Sequence, residues 1–262
     1  MKSNWKWAIM FAAAVAFVGC KDKNQPTPTP TPEPEPEKEY VQLIHVDDNS
    51  LADWDAVPAD QIAVAVLPEN QTKVALKSVK VYADKFYIFV RAELDMEEII
   101  DKGWVPFHVY INTDNNDATG GDGGGQFADP NEDIMLEGVV FADGAACSYG
   151  PAVFKWWGEV GGTEWDLWTE PGVTHSGDDK WGAIVGEGEL QGTMSQFVED
   201  KVIELQIMRE LVPTPAGWNE DEIGMGFDIQ QSWNSVGILP ALDPTDDNTN
   251  GVAHKLQVKI NK

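Results

Sequence analysis

Short runs of β-branched and aromatic residues recur from position 40 to the end of the chain, separated by clusters of Gly, Asp, Asn and Pro. In the final run Leu256, Val258 and Ile260 alternate with polar residues, which gives an extended segment one apolar and one polar face. Many short strands with turn signals between them are typical of a β-sandwich or barrel. The runs predict strands at residues 41–46, 62–67, 74–82, 86–92, 107–111, 134–141, 153–157, 202–208, 223–230 and 255–260.

Helix signals are scarce in the same region. Residues 95–102 predict one short helix, with Asp95 as its N-cap and Gly103 as its stop signal. No internal repeat or sharp change of composition divides residues 40–262, and about 220 residues are enough for one sizeable core. The predicted fold class is therefore all-β: a single antiparallel, immunoglobulin-like or jelly-roll β-sandwich with long loops and one short helix.

Residues 1–20 have the features of a targeting segment. A basic start precedes an apolar run at residues 7–18, which ends at Gly19 and Cys20; this is the layout of a secretory signal peptide. The run is shorter than the roughly 20 residues that span a membrane. Residues 17–20, Phe-Val-Gly-Cys, resemble the lipobox of bacterial lipoproteins, which implies cleavage before Cys20 and lipidation of its thiol. The alternative is a signal peptide without lipid.

Residues 21–39 predict a linker. Prolines alternate with Thr and then with Glu between positions 26 and 36, and proline fixes φ and lacks an N–H. The segment therefore favours extended polyproline II, in which about fifteen residues reach roughly 45 Å. We interpret it as a stalk that holds residues 40–262 away from a membrane.

The chain is strongly acidic, with a formal net charge of -26 and Arg91 and Arg209 as its only arginines. Nucleic-acid binding needs a basic face, so nucleic acid is excluded as a partner, and we expect contact with a membrane only through the lipid anchor. With Cys20 lipidated, Cys147 has no partner for an intramolecular disulfide. We expect Cys147 to be a small buried apolar residue.

Four stretches of the chain carry distinctive motifs, and their order along the chain is informative. The first is Val-Asp-Asn-rich and ends in Asp-Trp, at residues 46–54. A strand, a turn and a second strand that begins with aromatic residues follow at 79–90. The remaining stretches are residues 109–120, which run from a strand into an Asn- and Asp-rich loop, and the strand at residues 223–230. Together these stretches resemble the family 9 carbohydrate-binding modules and their wider DOMON-type sandwich superfamily.

The resemblance implies an antiparallel sandwich that binds sugars without cleaving them. In such modules two tryptophans clamp a sugar ring, polar side chains bind its hydroxyls, and calcium ions order the loops. Trp104 stands just before the strand that carries the first clamp tryptophan, Gln230 falls at a sugar-contacting glutamine, and His108 lies where the family has a glutamate. The second clamp tryptophan has no counterpart in the corresponding loop, residues 243–251.

Tryptophans are a second source of candidate ligand contacts, because the chain has 11 of them. Trp165 and Trp168 lie in a Gly-rich segment that is typical of a loop, and Trp233 lies within a turn. Loop aromatics on a rigid scaffold are suited to ligand binding. The alternative is that these indoles pack in the core or at the ends of the sandwich.

An Asn- and Asp-rich loop is a candidate calcium site. Calcium takes six to eight oxygen ligands from side chains and carbonyls. The spacing is not that of an EF-hand, and the alternative is an ordinary turn, which Asp and Asn also favour. The candidate ligands are Asn112, Asp114, Asn116, Asp117 and Asp133.

Enzyme motifs are lacking in the sequence, since there is no Gly-x-Ser-x-Gly and the four histidines have no zinc spacing. We therefore predict a non-catalytic, glycan-binding lipoprotein at the outer membrane or cell surface, or in the periplasm. Its predicted partner is a polysaccharide or oligosaccharide. The alternative is a calcium-stabilised structural or assembly protein that binds a partner protein in a surface complex.

Overall fold

The computed structural model of the 262-residue chain describes residues 40–69, 71–121, 125–129, 131–163, 168, 183–214, 217–242 and 253–262. The chain divides between Val41 and Gln42, and the description below concerns Gln42–Lys262. Cys20 and the predicted stalk lie outside the described residues. No helix within the described part of the chain is long and apolar enough to cross a membrane.

The fold is mostly β, as the sequence predicts. Within the described residues one α-helix, α1, covers Asp53–Ala56, and short 3₁₀ turns cover Ala59–Gln61 and Arg209–Leu211. The strands are β1 (Ala63–Val66), β2 (Leu76–Asp84), β3 (Tyr87–Leu94), β4 (Trp104–Asn112), β5 (Ile134–Ala142), β6 (Ala145–Ala146), β7 (Ala152–Lys155), β8 (Met194–Val198), β9 (Val202–Met208), β10 (Glu222–Gln231), β11 (Asn234–Leu239) and β12 (Leu256–Asn261).

The strands form one mixed sheet that curls into a nearly closed barrel or sandwich. We call its two layers the front sheet and the back sheet. The front sheet consists of β4, β5 and β10 with β6, β7 and β11, and the back sheet consists of β1, β2, β3, β8 and β9. β12 joins the two, because it pairs antiparallel with β10 and parallel with β2. The other described strand pairs are antiparallel, so the predicted antiparallel sandwich is confirmed with one parallel junction.

Strand alternation builds the core between the two sheets. Along β4, Val105, Phe107, Val109 and Ile111 are buried in the central cluster, while the residues between them face outward. Phe107 stacks on Phe227 of β10 with ring centroids 6.2 Å apart. Burying such a side chain contributes about 1.5–3 kcal/mol, so this contact stabilises the packing of β4 beside β10.

Each sheet also has a covered outer surface. On the front sheet Tyr110 and Met135 pack with Phe127, Trp156 and Trp168. On the back sheet a segment of residues 44–57 packs with two aromatic side chains of β2 and β3; the cluster consists of Ile44, Val46, Trp54, Val57, Tyr82 and Phe89. Parts of the outer surfaces are therefore additional small cores, and they bury three of the tryptophans, Trp54, Trp156 and Trp168.

Some sequence predictions about local structure are wrong. Residues 95–102 form a turn instead of a helix, because Asp95 Oδ1 accepts the N–H of Glu97 and Oδ2 pairs with Lys77 at 2.7 Å. Residues 41–46 are not a strand. Cys147 is exposed instead of buried, and its Sγ donates to the carbonyl of Val139 at 3.1 Å.

Candidate ligand-binding site

Two exposed tryptophans lie at one end of the front sheet. Trp104 is the first residue of β4 and is 43% exposed, and Trp233 lies in the turn between β10 and β11 and is 59% exposed. β10 runs antiparallel to β4, with Gly224 opposite Asn112 and Ile229 opposite Phe107. The end of β10 therefore lies beside the start of β4, which places both indoles at the same edge of the fold.

The hairpin that carries Trp233 is tied to the loop that precedes Trp104. The Asp101 N–H donates to Gln231 Oε1 at 2.7 Å, and Gln231 Nε2 donates to the Glu98 carbonyl at 2.9 Å. Ser232 Oγ donates to Asp101 Oδ2 at 3.3 Å. These bonds make the hairpin turn and the loop one connected unit that presents the two indoles.

His108 lies further along the outer face of β4, between two carboxylates. In the strand register it is opposite Glu137 of β5 on one side and Asp228 of β10 on the other. Its Nε2 is hydrogen-bonded to Glu137 Oε2 at 2.6 Å, and its Nδ1 lies 3.9 Å from Asp228 Oδ2. The side chain is fully buried, whereas that of Glu137 is 19% exposed.

Asp228 is the centre of a hydrogen-bond network on the same face. Gln230 Nε2 donates to its Oδ2 at 2.6 Å and Ser235 Oγ donates to its Oδ1 at 2.5 Å. Burial raises the pKa of the Asp228 carboxyl, and His108 and these donors oppose that shift. Asp228 is thus hydrogen-bonded to Gln230, the predicted sugar-contacting glutamine, and its Oδ2 lies 3.9 Å from His108 Nδ1.

The structure brings several of the predicted ligand residues together. Trp104, His108, Gln230 and Trp233 all belong to β4 or to the β10–β11 hairpin. Gln230 is only 7% exposed and His108 is buried, so most of their surface lies inside the fold, whereas the two indoles are exposed. The sequence did not predict Asp228 or Glu137 as site residues. For Asp228 the signal in the sequence is alternation, because Gly224, Gly226, Asp228 and Gln230 alternate with core residues along β10.

Trp168 belongs to a different part of the fold. It is 2% exposed, and its ring lies edge-on to Trp156 with centroids 5.3 Å apart and near Tyr110 at 6.4 Å. It therefore packs in the outer cluster of the front sheet, in line with the alternative role for a loop indole. Trp165 lies outside the described residues.

The Asn- and Asp-rich loop follows β4 at the opposite end from Trp104. Asn112 and Asp114 each accept the N–H of Asn116, at 3.3 and 3.1 Å, and Asn116 accepts the N–H of Ala118 at 3.0 Å. Thr119 Oγ1 also donates to Asp114 at 3.1 Å. These side-chain oxygens therefore hold the turn through local bonds of the Asx type.

Asp117 and Asp133 have separate partners. Asn131 Nδ2 donates to Asp117 Oδ1 at 2.7 Å, while both the N–H and the hydroxyl of Thr113 donate to Asp133 Oδ2, at 2.8 and 2.9 Å. Burial raises the pKa of the Asp133 carboxyl. Asn131 Oδ1 is buried, and no hydrogen-bond partner for it is found among the described residues.

The carboxylates of this region are therefore spread over several local contacts. Within the described ranges, no three His, Cys, Asp or Glu side chains are grouped so as to hold a metal ion. Asp129 and Glu132 contact the Lys255 ammonium instead. Calcium binding stays a prediction. The feature that favours it is the buried Asn131 Oδ1 beside Asp117, because calcium binds oxygen ligands.

A small cavity adjoins this loop. Its volume is about 280 Å³, and Thr119, Asp133, Trp156 and Val160 contribute to its walls. It combines a buried carboxyl with an indole, but it lies at the far end of β4 from Trp104 and is separate from the exposed tryptophan pair.

No protein-family model, curated protein or solved structure matches this chain. The resemblance to family 9 carbohydrate-binding modules therefore stays a prediction, and the functional argument depends on the geometry of the site.

Proposed function

We propose that this chain is a membrane-anchored, non-catalytic glycan-binding lipoprotein exposed at the cell surface or in the periplasm. The single observation that carries the proposal is the pair of exposed indoles, Trp104 and Trp233, at one end of the front sheet. Large aromatic side chains are usually buried, at least in part. Two of them at the same edge of the fold, on segments joined by hydrogen bonds, are a reason to expect a ligand at this surface.

The chemistry of a sugar suits this surface. The C–H face of a sugar ring is apolar and packs on an indole, while its hydroxyls need donors and acceptors. The partly exposed Glu137 supplies such a group at the border of the buried network, and Gln230, which is only 7% exposed, belongs to the network itself. In the proposed mechanism, the indoles provide the contact area and the network around Asp228 fixes the polar groups.

The test of glycan binding is affinity electrophoresis of the full chain in gels that contain xylan, laminarin, galactomannan, pectin or starch. We expect retardation by at least one polymer, and at least about tenfold weaker binding, or about 1.4 kcal/mol, in Trp104→Ala and Trp233→Ala. Phe86→Ala is the matched control, because Phe86 is a 38% exposed aromatic residue in the turn between β2 and β3, away from the front sheet.

Two results would overturn the proposal. One is migration unchanged by every polymer. The other is binding that both tryptophan variants retain at full strength.

The proposed anchor has its own test. Cys20→Ser should abolish incorporation of labelled palmitate and move the protein out of the membrane fraction, whereas Cys147→Ser, at the other cysteine, should change neither. Palmitate incorporation into Cys20→Ser at the level of the unmodified chain would contradict lipidation at that residue.

A further inference from the structure

Lys255, the residue before β12, has a side chain that is completely buried against two acidic residues. Its Nζ donates to the backbone carbonyl of Asp129 and lies 3.6 Å from Asp129 Oδ2 and 3.3 Å from Glu132 Oε1. The side chains of Lys255 and Glu132 are 0% and 1% exposed, and that of Asp129 is 15% exposed. The Phe127 ring centroid is 5.6 Å from the amine.

This arrangement is electrostatically expensive. One ammonium and two carboxylates share the site, and moving each charge out of water costs several kcal/mol. Condensation of the amine with one carboxyl removes one positive and one negative charge from the interior. The remaining carboxylate can then accept a hydrogen bond from the new amide N–H.

The two oxygens of Asp129 are in different surroundings. Oδ1 accepts the backbone N–H of Lys255 at 2.8 Å, and a fixed N–H donor stabilises the negative charge that develops on an oxygen during attack on its carbon. Oδ2 lies 3.6 Å from the Lys255 Nζ, so the fold holds the amine beside the carboxyl group that it would attack, and such proximity favours an intramolecular condensation. Glu132 lies beside the same amine, within reach to carry protons.

We propose that Lys255 and Asp129 are joined by an intramolecular amide bond that forms without any cofactor. Glu132 takes a proton from the Lys255 ammonium, and the free amine attacks Cγ of Asp129. The C–N bond forms, the Cγ–Oδ2 bond breaks, and Oδ2 leaves as water with the two protons that Nζ loses, which Glu132 transfers. Nothing is oxidised or reduced.

The bond would connect two distant parts of the chain. Asp129 lies in the loop between β4 and β5, and Lys255 directly precedes β12, the strand that joins the front and back sheets. Ala128 N–H already donates to the Ala253 carbonyl at 2.9 Å, so the two segments are in contact along their backbones. The covalent link secures the junction between the sheets in a protein proposed to work outside the cell.

Peptide mapping of the full chain tests the bond. The purified folded protein is digested and analysed by tandem mass spectrometry. We expect one branched peptide that contains Asp129 and Lys255 and is lighter by one water molecule than its two parts. Lys77 and Asp95 are the internal control: they form an ion pair at 2.7 Å but are 44% and 25% exposed, so they should be recovered as separate peptides.

Variants identify the chemistry. Glu132→Gln should yield the two peptides unlinked, because the proton carrier is lost. Asp129→Asn should still link, with loss of ammonia instead of water. Recovery of separate Asp129 and Lys255 peptides of full mass from the unmodified chain would overturn the proposal, as would equal linking of Lys77 and Asp95.

Discussion

The indole Nε1 of Trp54 donates a hydrogen bond to the buried carboxylate of Glu204, a residue 150 positions away in the sequence. Glu204 lies on the outer face of β9, and Gln196 of the neighbouring strand β8 donates to its other oxygen. Trp54 belongs to α1, within the segment that covers the back sheet. The bond therefore fastens the start of the domain to the middle of the sheet.

Trp54→Phe should destabilise the domain. The substitution keeps an aromatic ring but removes the N–H, which leaves one Glu204 oxygen buried without that donor; such a loss costs about 1–3 kcal/mol. The free energy of unfolding from urea titration at neutral pH measures the change. Trp233→Phe is the control, because Trp233 is exposed and surface changes usually stay within about 0.5 kcal/mol. Equal urea midpoints for Trp54→Phe and the unmodified chain would contradict the role of this bond.

Glu204 should also make stability depend on pH. Burial raises the pKa of its carboxyl above the ordinary 4.5, and the bonds from Gln196 and Trp54 and the charge of Arg91 only partly oppose this. The folded state therefore holds the proton to higher pH than the unfolded state. This contribution to stability is fully present below 4.5 and is lost as pH rises through the raised pKa.

Urea titrations of the unmodified chain and of Glu204→Gln, at a series of pH values upward from 4, measure that contribution. The unmodified chain should lose stability relative to the variant as pH rises above 4.5. Asp133 and Asp228, whose pKa values burial also raises, are present in both proteins and cancel in the difference. A constant difference across the series would refute the prediction.

The strand pattern of the sequence predicts much of the fold because it reports burial. Residues 202–208 match β9, and residues 134–141 match β5 to within one residue. The same pattern misleads at residues 41–46. Ile44 and Val46 are buried and His45 between them is exposed, as in a strand, yet this segment packs across the back sheet through side chains without joining its ladder. Alternation predicts which side chains are buried, and it says nothing about backbone pairing.

The candidate site was less predictable, because it depends on register between distant strands. Trp104, Gln230 and Trp233 could be chosen by residue type and by family resemblance. The placement of Asp228 and Glu137 on either side of His108 follows only from the pairing of β10 and β5 with β4. β11 was not predicted as a strand, since Gly237 and polar residues interrupt its apolar pattern.

Two glycines of β10 provide a test of the packing over the front sheet. A Cβ on Gly226 would lie 2.3 Å from the Phe127 ring, whereas a Cβ on Gly224 would meet its nearest neighbour, the Asn112 Cβ, at 3.4 Å. Gly226→Ala should therefore destabilise by about 1–3 kcal/mol, the usual range for overpacking. Gly224→Ala, on the same face of the same strand, should be neutral or slightly stabilising. Urea titration compares the two, and equal effects would mean that Phe127 moves aside without cost.

Calcium should raise the melting temperature if the loop after β4 binds it. The expected ligands near Asp117 include the Asn131 oxygen, which is buried and has no hydrogen-bond partner within the described part of the chain. A ligand that binds only the folded state stabilises it in proportion to the logarithm of its concentration above Kd. Scanning calorimetry of the full chain in chelator and then in millimolar calcium measures the shift.

Asp117→Asn identifies the source of any calcium effect. The variant keeps an oxygen that can accept from Asn131 but lacks the carboxylate charge, so it should melt like the unmodified chain in chelator and gain less from calcium. Asp221→Asn is the control, since Asp221 is an exposed carboxylate paired with Lys262 and should leave the calcium shift unchanged. A calcium shift that Asp117→Asn retains in full would place the ion elsewhere, and identical melting in chelator and calcium would leave the Asp and Asn side chains of this loop with a purely local role as turn formers.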